Sequence, residues 1–189
     1  MGAAAALVGT SAHVRLVPAP LPPKPLLVAV DTNVLLDLAE GSEHAWGAVE
    51  TIRRRLKNVR IVVLPTVIQE LAHLVENGDT PRERELAGKA AQQLVKDWKF
   101  APINFIPVGH GITERIADSI RERGLLPPEE VNDSFIVAES ALAACAILLS
   151  SDGHIREIPA DKLNLLLAAA HVATVVISSP REIAKKFGW

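Results

Sequence analysis

The chain has 189 residues, of which 49% are hydrophobic and 22% are charged, and this composition excludes a disordered or low-complexity protein. A chain of this length is expected to form one domain around one core. With 20 basic and 22 acidic residues the net charge is −2, which excludes nucleic-acid binding through an overall positive field. The single cysteine, Cys145, excludes an internal disulfide and favours a reducing, cytoplasmic setting. The apolar stretches are shorter than the roughly 20 residues of a membrane-spanning helix, so no membrane association is expected.

The first 25 residues differ in composition from the rest, being rich first in alanine and then in proline. Proline lacks a backbone N–H and cannot sustain a helix or a strand ladder. We therefore predict an extended N-terminal arm at residues 1–25 and a single folded domain at residues 26–189.

Short runs rich in Val, Ile and Leu predict the strands of this domain. They cover residues 26–30, 59–64, 104–108, 146–150 and 172–177. None of these runs alternates cleanly between apolar and polar residues. Continuous apolar strands are typical of parallel sheets, in which helices cover both faces.

Helix starts are indicated by Ser or Thr three residues before Glu or Gln, the pattern of a capping box. The pattern occurs at Thr66/Gln69, Thr80/Glu83 and Ser179/Glu182. Apolar periodicity predicts further helices at 34–40, 45–57, 113–123, 129–144 and 161–170, and extends the helix after Pro81 to residue 98. Together these elements predict a three-layer α/β/α sandwich around a mostly parallel five-stranded sheet, with ligands at the carboxyl ends of the strands.

Four acidic residues are predicted at that edge of the sheet. Asp31 follows the first strand, Glu70 lies early in the helix after the second, and Asp152 follows the fourth. Asp133 opens the helix before the fourth strand. That helix spans about 16 Å over about 11 residues and leads away from the edge, and the strand that follows spans about the same distance back towards it. Asp133 and Asp152 are therefore expected at the same edge.

Four carboxylates held close together repel one another, and a divalent cation bound between them would offset this repulsion. Oxygen ligands without cysteine or clustered histidine suit Mg²⁺ or Mn²⁺, and these ions commonly bridge proteins to phosphate oxygens. The predicted substrate is therefore a phosphodiester.

Four segments of the sequence resemble the motifs of the PIN-domain nucleases. Residues 28–36, which contain Asp31-Thr32-Asn33, are similar to the opening motif of that family, and Glu70 matches its second acid. Residues 132–138 are similar to the third motif and residues 148–154 to the fourth. Their order and their strand contexts make the resemblance more specific than any one motif does.

The resemblance implies a ribonuclease in which Mg²⁺ or Mn²⁺ is held by four catalytic acids, namely Asp31, Glu70, Asp133 and Asp152. It also implies that Thr32, Asn33 and Ser151 orient these acids or the scissile phosphate. RNA would be the substrate, and an antitoxin or another protein would be a partner. Many members of the family are toxins that are more compact than this chain, so processing or turnover of RNA and loss of activity stay open as alternatives.

Several other polar residues are expected to be structural. Glu129, Glu130 and Glu139 are interpreted as surface groups or as groups that complement the helix dipole, and His154 as a residue without an RNA contact. The basic residues of the second helix and the strand after it, Arg53, Arg54, Arg55, Lys57 and Arg60, are interpreted as a solvated face. The tryptophans Trp46, Trp98 and Trp189 are interpreted as core or interface anchors.

Two other function classes stay open at this point. A receiver-like phosphoryl-transfer module also places Asp at a strand end, but the last strand here ends in Ser178-Ser179 without the lysine that such a module needs. A pure interaction module could form a homodimer through apolar helix residues, here Leu163, Leu166, Leu167 and Ala170.

Overall fold

The computed structural model describes residues 23–187, without the side chain of Phe187. The strands are β1 Leu26–Val30, β2 Val59–Val63, β3 Ala101–Pro102, β4 Cys145–Leu149 and β5 Val176–Ser178. The first helices are α1 Thr32–Glu40, α2 Glu43–Arg55, α3 Pro65–Asn77, α4 Pro81–Lys96 and α5 Pro107–Glu122. The later ones are α6 Val131–Leu142, α7 Gly153–Glu157, α8 Ala160–Ala169 and α9 Pro180–Phe187. Most of the predicted arm and Trp189 lie outside the described residues, and residues 23–25 have no regular secondary structure.

The strands form one sheet in the order β3-β2-β1-β4-β5, and every pair is parallel. Residues 28–30 of the central strand β1 are fully buried. Because neighbouring side chains of a strand point to opposite faces, this burial means that helices cover both faces of the sheet. The predicted three-layer α/β/α architecture is therefore confirmed.

The strand register places three chain segments side by side at one edge of the sheet. Val30, the last residue of β1, pairs with Val63 of β2 and with Leu149 of β4. The next residues after β1 and β4 are Asp31 and Ser150, which therefore emerge next to each other. Helix α3 starts directly beyond β2, so its first turns face the same edge.

The strand predicted at 104–108 is wrong. The third strand is only the pair Ala101–Pro102, and residues 107 onward belong to α5, which begins with Pro107 at its first position. Pro102 lacks a backbone donor and is tolerated because β3 is an edge strand. The apolar residues Ile106 and Val108, which suggested a strand, are largely exposed at the start of α5.

The last predicted strand is found, but it is shorter than expected. β5 spans Val176–Ser178, whereas Val172 lies in the loop after the turn that ends α8. The N–H of Val172 donates to the carbonyl of Leu167 at 3.1 Å. The short helix α7 was not predicted, because its five residues offer no apolar period.

The predicted capping boxes have three different outcomes. Ser179 and Glu182 form the full reciprocal pair, with N–H to side-chain distances of 2.8 and 3.2 Å. Thr80 caps α4 by accepting from the N–H of Glu83, whose own carboxylate accepts from Asp79. The box predicted at Thr66 is wrong, because α3 begins one residue earlier at Pro65.

Three of the four apolar residues predicted to form a dimer surface on α8 pack inside the protein. Leu163, Leu166 and Leu167 are at most 3% exposed, so they belong to the core of this chain. The predicted dimerisation surface on this helix is therefore wrong for these three side chains. Of the four predicted residues, Ala170, just past the end of the helix, is exposed.

The basic residues at the end of α2 lie at the opposite edge of the sheet from Asp31, because they precede β2 rather than follow it. Arg53 is exposed, but its guanidinium donates to the carbonyl of Trp98 and lies 5.6 Å from the centre of the Phe100 ring. Trp98 is 3% exposed, which confirms its predicted role in the core. The indole of Trp46 packs edge-on against it, with ring centres 6.0 Å apart.

Within residues 23–187, no helix is both long enough and apolar enough to cross a bilayer.

The contacts of Arg53 predict a structural rather than an RNA-binding role. Arg53→Ala should lower the free energy of unfolding by about 1–2 kcal/mol, because a hydrogen bond to a carbonyl and a cation–π contact are both lost. The matched control Arg54→Ala, at a neighbouring exposed position whose side chain makes no hydrogen bond with a described residue, should stay within about 0.5 kcal/mol of the parent. Urea denaturation measures both values, and equal stability of the two variants would contradict this role of Arg53.

Candidate functional site

Asp31 is buried at the carboxyl edge of the sheet, with 2% of its surface exposed. Its backbone N–H extends the sheet by donating to Leu149 at 2.9 Å. Its carboxylate accepts from the N–H of Thr32 at 2.6 Å on one oxygen and from the hydroxyl of Ser150 at 2.7 Å on the other. These bonds fix the orientation of the carboxylate and leave each oxygen with a further acceptor site.

Thr32 links the first acid to the second. Its N–H donates to Asp31, and its hydroxyl donates to Oε2 of Glu70, which lies about one and a half turns into α3. The other oxygen of Glu70, Oε1, has no hydrogen-bond partner among the described residues. One side chain thereby ties the end of β1 to α3.

Ser150 links the first acid to the fourth. It donates to Asp31 and accepts from the N–H of Asp152 at 3.0 Å. Asp152 in turn caps α7: its Oδ1 accepts from the N–H groups of His154 and Ile155 at 2.7 and 3.3 Å. Its Oδ2 has no partner within the described part of the chain.

Asp133 lies in the first turn of α6 and is half-buried, and its carboxylate makes no hydrogen bond with any described residue. Two neighbours approach it. Glu130, Asp133 and His154 each have one potential metal-ligand atom within 4.8 Å of those of the other two. Nδ1 of His154 is 2.8 Å from a carboxylate oxygen of Glu130. The prediction for His154 had not included this contact, and Glu130 is half-buried beside the site rather than on the open surface.

The pKa values show that these acids interact. Burial raises the pKa of Asp31 to about 6, with smaller increases from the charges of Glu70 and Asp152, although its bonds to Ser150 and Thr32 oppose the rise. Burial likewise raises the pKa of Asp133 to about 7, and the charges of Asp152, Asp31, Glu130 and Glu70 add to the effect. The four acids predicted from the sequence are therefore close enough to repel one another.

A cavity of about 470 Å³ opens at this edge of the sheet. Asp31, Glu70 and Asp133 line it, and Asp152 lies beside it. The other lining residues are Thr32, Asn33, Leu36, Thr66, Gln69, His73, Leu74, Glu83 and Asn132. We call this space the acidic cavity.

A buried hydrogen-bonded pair, Thr66 and Glu139, joins the two helices that carry Glu70 and Asp133. The carboxylate of Glu139 accepts from the N–H of Thr66 at 3.1 Å and from its hydroxyl at 3.0 Å. Because the residue before α3 is Leu64, which has no capping side chain, Glu139 of α6 caps α3 instead. The prediction that Glu139 is a surface group is wrong, since it is only 2% exposed. Burial raises its pKa, and the bonds to Thr66 oppose this rise.

Two residues predicted to orient the acids lie in different surroundings. Asn33 is exposed and lines the acidic cavity. Ser151 is also exposed, and its hydroxyl donates to Asp37 at 3.0 Å, whereas Ser150 is the serine that contacts Asp31. Sequence reasoning missed Ser150, because two adjacent serines end the strand and only its exact end decides which one faces the acids.

The donor atoms at the acidic cavity suit a hard divalent cation. They are carboxylate oxygens, and Asp133, Glu70 and Asp152 each have at least one oxygen without a partner among the described residues. Half-buried carboxylates without hydrogen-bond donors are costly unless a cation compensates them.

Comparisons with known proteins agree with this architecture. A family model described as the PIN domain matches residues 28–161. The fold is similar to VapBC2 from Rickettsia felis bound to a DNA fragment from their promoter, with a TM-score of 0.57 and 13% identity over 82% of this chain and 98% of that chain. It is also similar to VapBC-1 from nontypeable Haemophilus influenzae, with a TM-score of 0.52 and 14% identity over 82% and 98%. No curated protein matches the sequence.

The Thr66–Glu139 pair predicts a stability effect. Glu139→Gln should cost roughly 1–3 kcal/mol, because an amide can accept through only one of its two terminal atoms and a buried donor of Thr66 loses its partner. The control Glu129→Gln, at an exposed position near the start of α6, should change stability by less than about 0.5 kcal/mol. Chemical denaturation compares the two, and a neutral Glu139→Gln would show that the bonds to Thr66 do not stabilise the fold.

The raised pKa of Asp133 predicts a pH-dependent stability in EDTA. A carboxyl with a folded-state pKa of about 7 and a usual value of 3.8 stabilises the folded state fully below pH 3.8, and this stabilisation is lost as the pH rises through 7. The parent should therefore lose stability relative to Asp133→Asn between about pH 4 and pH 8. Because Asp133 is partly exposed, the difference should be roughly 1–2 kcal/mol, or about 2–8 °C in melting temperature. Differential scanning calorimetry at several pH values measures it, and parallel curves for the two proteins would contradict the predicted repulsion.

Proposed function

Because the chain belongs to the PIN-domain family, we propose that it is an Mg²⁺- or Mn²⁺-dependent endoribonuclease that hydrolyses RNA phosphodiester bonds. The observation that supports this function is the convergence of Asp31, Glu70, Asp133 and Asp152 at the acidic cavity, with mutual repulsion and unpartnered oxygens. Members of this family are generally nucleases, and this acidic cluster is the chemistry that a nuclease with a divalent cation needs.

In this proposal the four acids hold the cation. When bound, a divalent cation activates water and stabilises charge on phosphate oxygens. Asp31 is the fixed member of the set, since Thr32 and Ser150 hold both of its oxygens. Asp133 is the least restrained, because its carboxylate makes no hydrogen bond with a described residue.

The surrounding residues position these acids. Thr32 holds Glu70 towards Asp31, and Ser150 sets the distance between the backbone of Asp152 and the carboxylate of Asp31. Glu130 and His154 add two donor atoms next to Asp133. Asn33, exposed at the mouth of the cavity, is in place to donate its amide to a phosphate oxygen.

The proposal predicts metal-dependent cleavage that requires these acids. Purified protein should cleave RNA with Mg²⁺ or Mn²⁺ and not in EDTA, and Asp31→Asn and Asp133→Asn should each reduce the rate at least 100-fold with unchanged circular dichroism. The matched control Asp37→Asn removes a nearby carboxylate that does not line the cavity, and it should keep nearly full activity. Cleavage by the double variant Asp31→Asn/Asp133→Asn at the parent's rate would rule out this site.

A second candidate is the same chemistry in the toxin of a toxin–antitoxin pair. Both similar structures are VapBC complexes, which favours a protein antitoxin as the partner. Growth arrest on expression, relieved by Asp31→Asn, would support this role. Unaffected growth together with active cleavage in vitro would favour RNA processing or turnover instead.

A further inference from the structure

A second cavity of about 300 Å³ adjoins the acidic cavity. Thr66, Gln69 and Asn132 line both spaces, so they form the boundary between them. The remaining lining comes from α5 and α6 and consists of His110, Gly111, Thr113, Glu114, Phe135 and Glu139. A volume of 300 Å³ lies at the lower end for small-ligand sites, which suits one ring system rather than a length of strand. We call this space the side cavity.

The charges of the side cavity disfavour a phosphate. Among residues 23–187, the ionisable side chains that line it are two carboxylates, Glu114 and Glu139, and one imidazole, His110, with no lysine or arginine. A phosphate there would be repelled by these carboxylates, but a neutral base would not. Each nucleotide of RNA carries one base beside its backbone phosphate. A strand with a phosphate at the acidic cavity can therefore place the neighbouring base in the side cavity.

The chemistry of the lining matches a nucleobase. Phe135 supplies a half-buried aromatic ring. The side-chain amides of Gln69 and Asn132 have no hydrogen-bond partner among the described residues. Glu139 is held in place by Thr66, and each of its oxygens retains a second acceptor site. Proteins recognise unpaired RNA bases by stacking on aromatic side chains together with hydrogen bonds to the base edges.

We propose that the side cavity binds an unpaired guanine next to the scissile phosphate. The Watson–Crick edge of guanine presents two adjacent donors, N1–H and N2–H, which a fixed carboxylate such as Glu139 can accept, and the amides can donate to its O6. Uracil presents one donor between two acceptors and fits this lining less well. This inference rests on the proposed function, because it requires RNA in the acidic cavity.

The first test maps cleavage sites in a random-sequence RNA library with the full chain and Mn²⁺. Guanine should be enriched at one position beside the cut. Phe135→Leu, which removes the ring and keeps apolar bulk, and Gln69→Ala, which removes an amide, should each reduce this enrichment at least about fivefold, because stacking on the base or a hydrogen bond to its edge is lost. The control Arg54→Ala, at the opposite edge of the sheet, should leave the enrichment unchanged.

The second test needs no cleavage. Fluorescence anisotropy compares Asp31→Asn binding to two short RNAs that differ only in one G or U, in the presence of Mn²⁺. The G-containing RNA should bind at least about fivefold more tightly, and adding Phe135→Leu or Gln69→Ala should remove the difference. Because Gln69 is exposed, its variant keeps the test valid even if Phe135→Leu is unstable.

The two levels of the proposal fail in different ways. Absence of metal-dependent cleavage by the parent would overturn the ribonuclease function. Active cleavage without a base preference, with a uracil preference, or with a guanine preference that both variants retain would overturn the guanine site alone. Equal binding of the two RNAs by Asp31→Asn would overturn it as well.

Discussion

The parallel pairing of β1 with β4 is the constraint on which the candidate site depends. Since Val30 pairs with Leu149, Asp31 and Ser150 leave the sheet side by side, and the serine hydroxyl reaches the buried carboxylate at 2.7 Å. A shift of the register by one residue would turn Ser150 to the other face and leave Asp31 without that donor. The same serine orients the backbone of Asp152, so one strand pair positions two of the four acids.

A buried polar contact performs the corresponding task for the two helices at the site. Glu139 of α6 supplies the cap that Leu64 cannot give to α3, through two hydrogen bonds to Thr66. These helices carry Asp133 and Glu70, so the contact fixes the separation of two acids without touching either. The cost of burying Glu139 is offset by its bonds to Thr66, and repulsion among the acids is the cost that a bound cation would offset.

The two cavities divide the chemistry of the site between them. The acidic cavity gathers carboxylates, whose charge suits a cation and, through it, a phosphate. The side cavity combines an aromatic ring, two amides and a fixed carboxylate, which suit a base. Because Thr66, Gln69 and Asn132 line both cavities, RNA bound as proposed contacts the two of them at once.

The sequence by itself determined the parallel α/β/α fold, the strands at 26–30, 59–63 and 145–149 to within one residue, and the family. It could do so because continuous apolar runs and acids at strand ends are local signals. The prediction of a strand at 104–108 was wrong because it also relied on a local signal. Exposed apolar residues at the start of α5 give the same local pattern as a strand. Only the tertiary structure decided that Ser150 rather than Ser151 reaches Asp31, that Glu139 is buried as the cap of α3, and that Arg53 is held by Trp98 and Phe100. Each of these contacts joins residues at least 45 positions apart in the chain, and no local pattern specifies which distant partner a polar side chain meets.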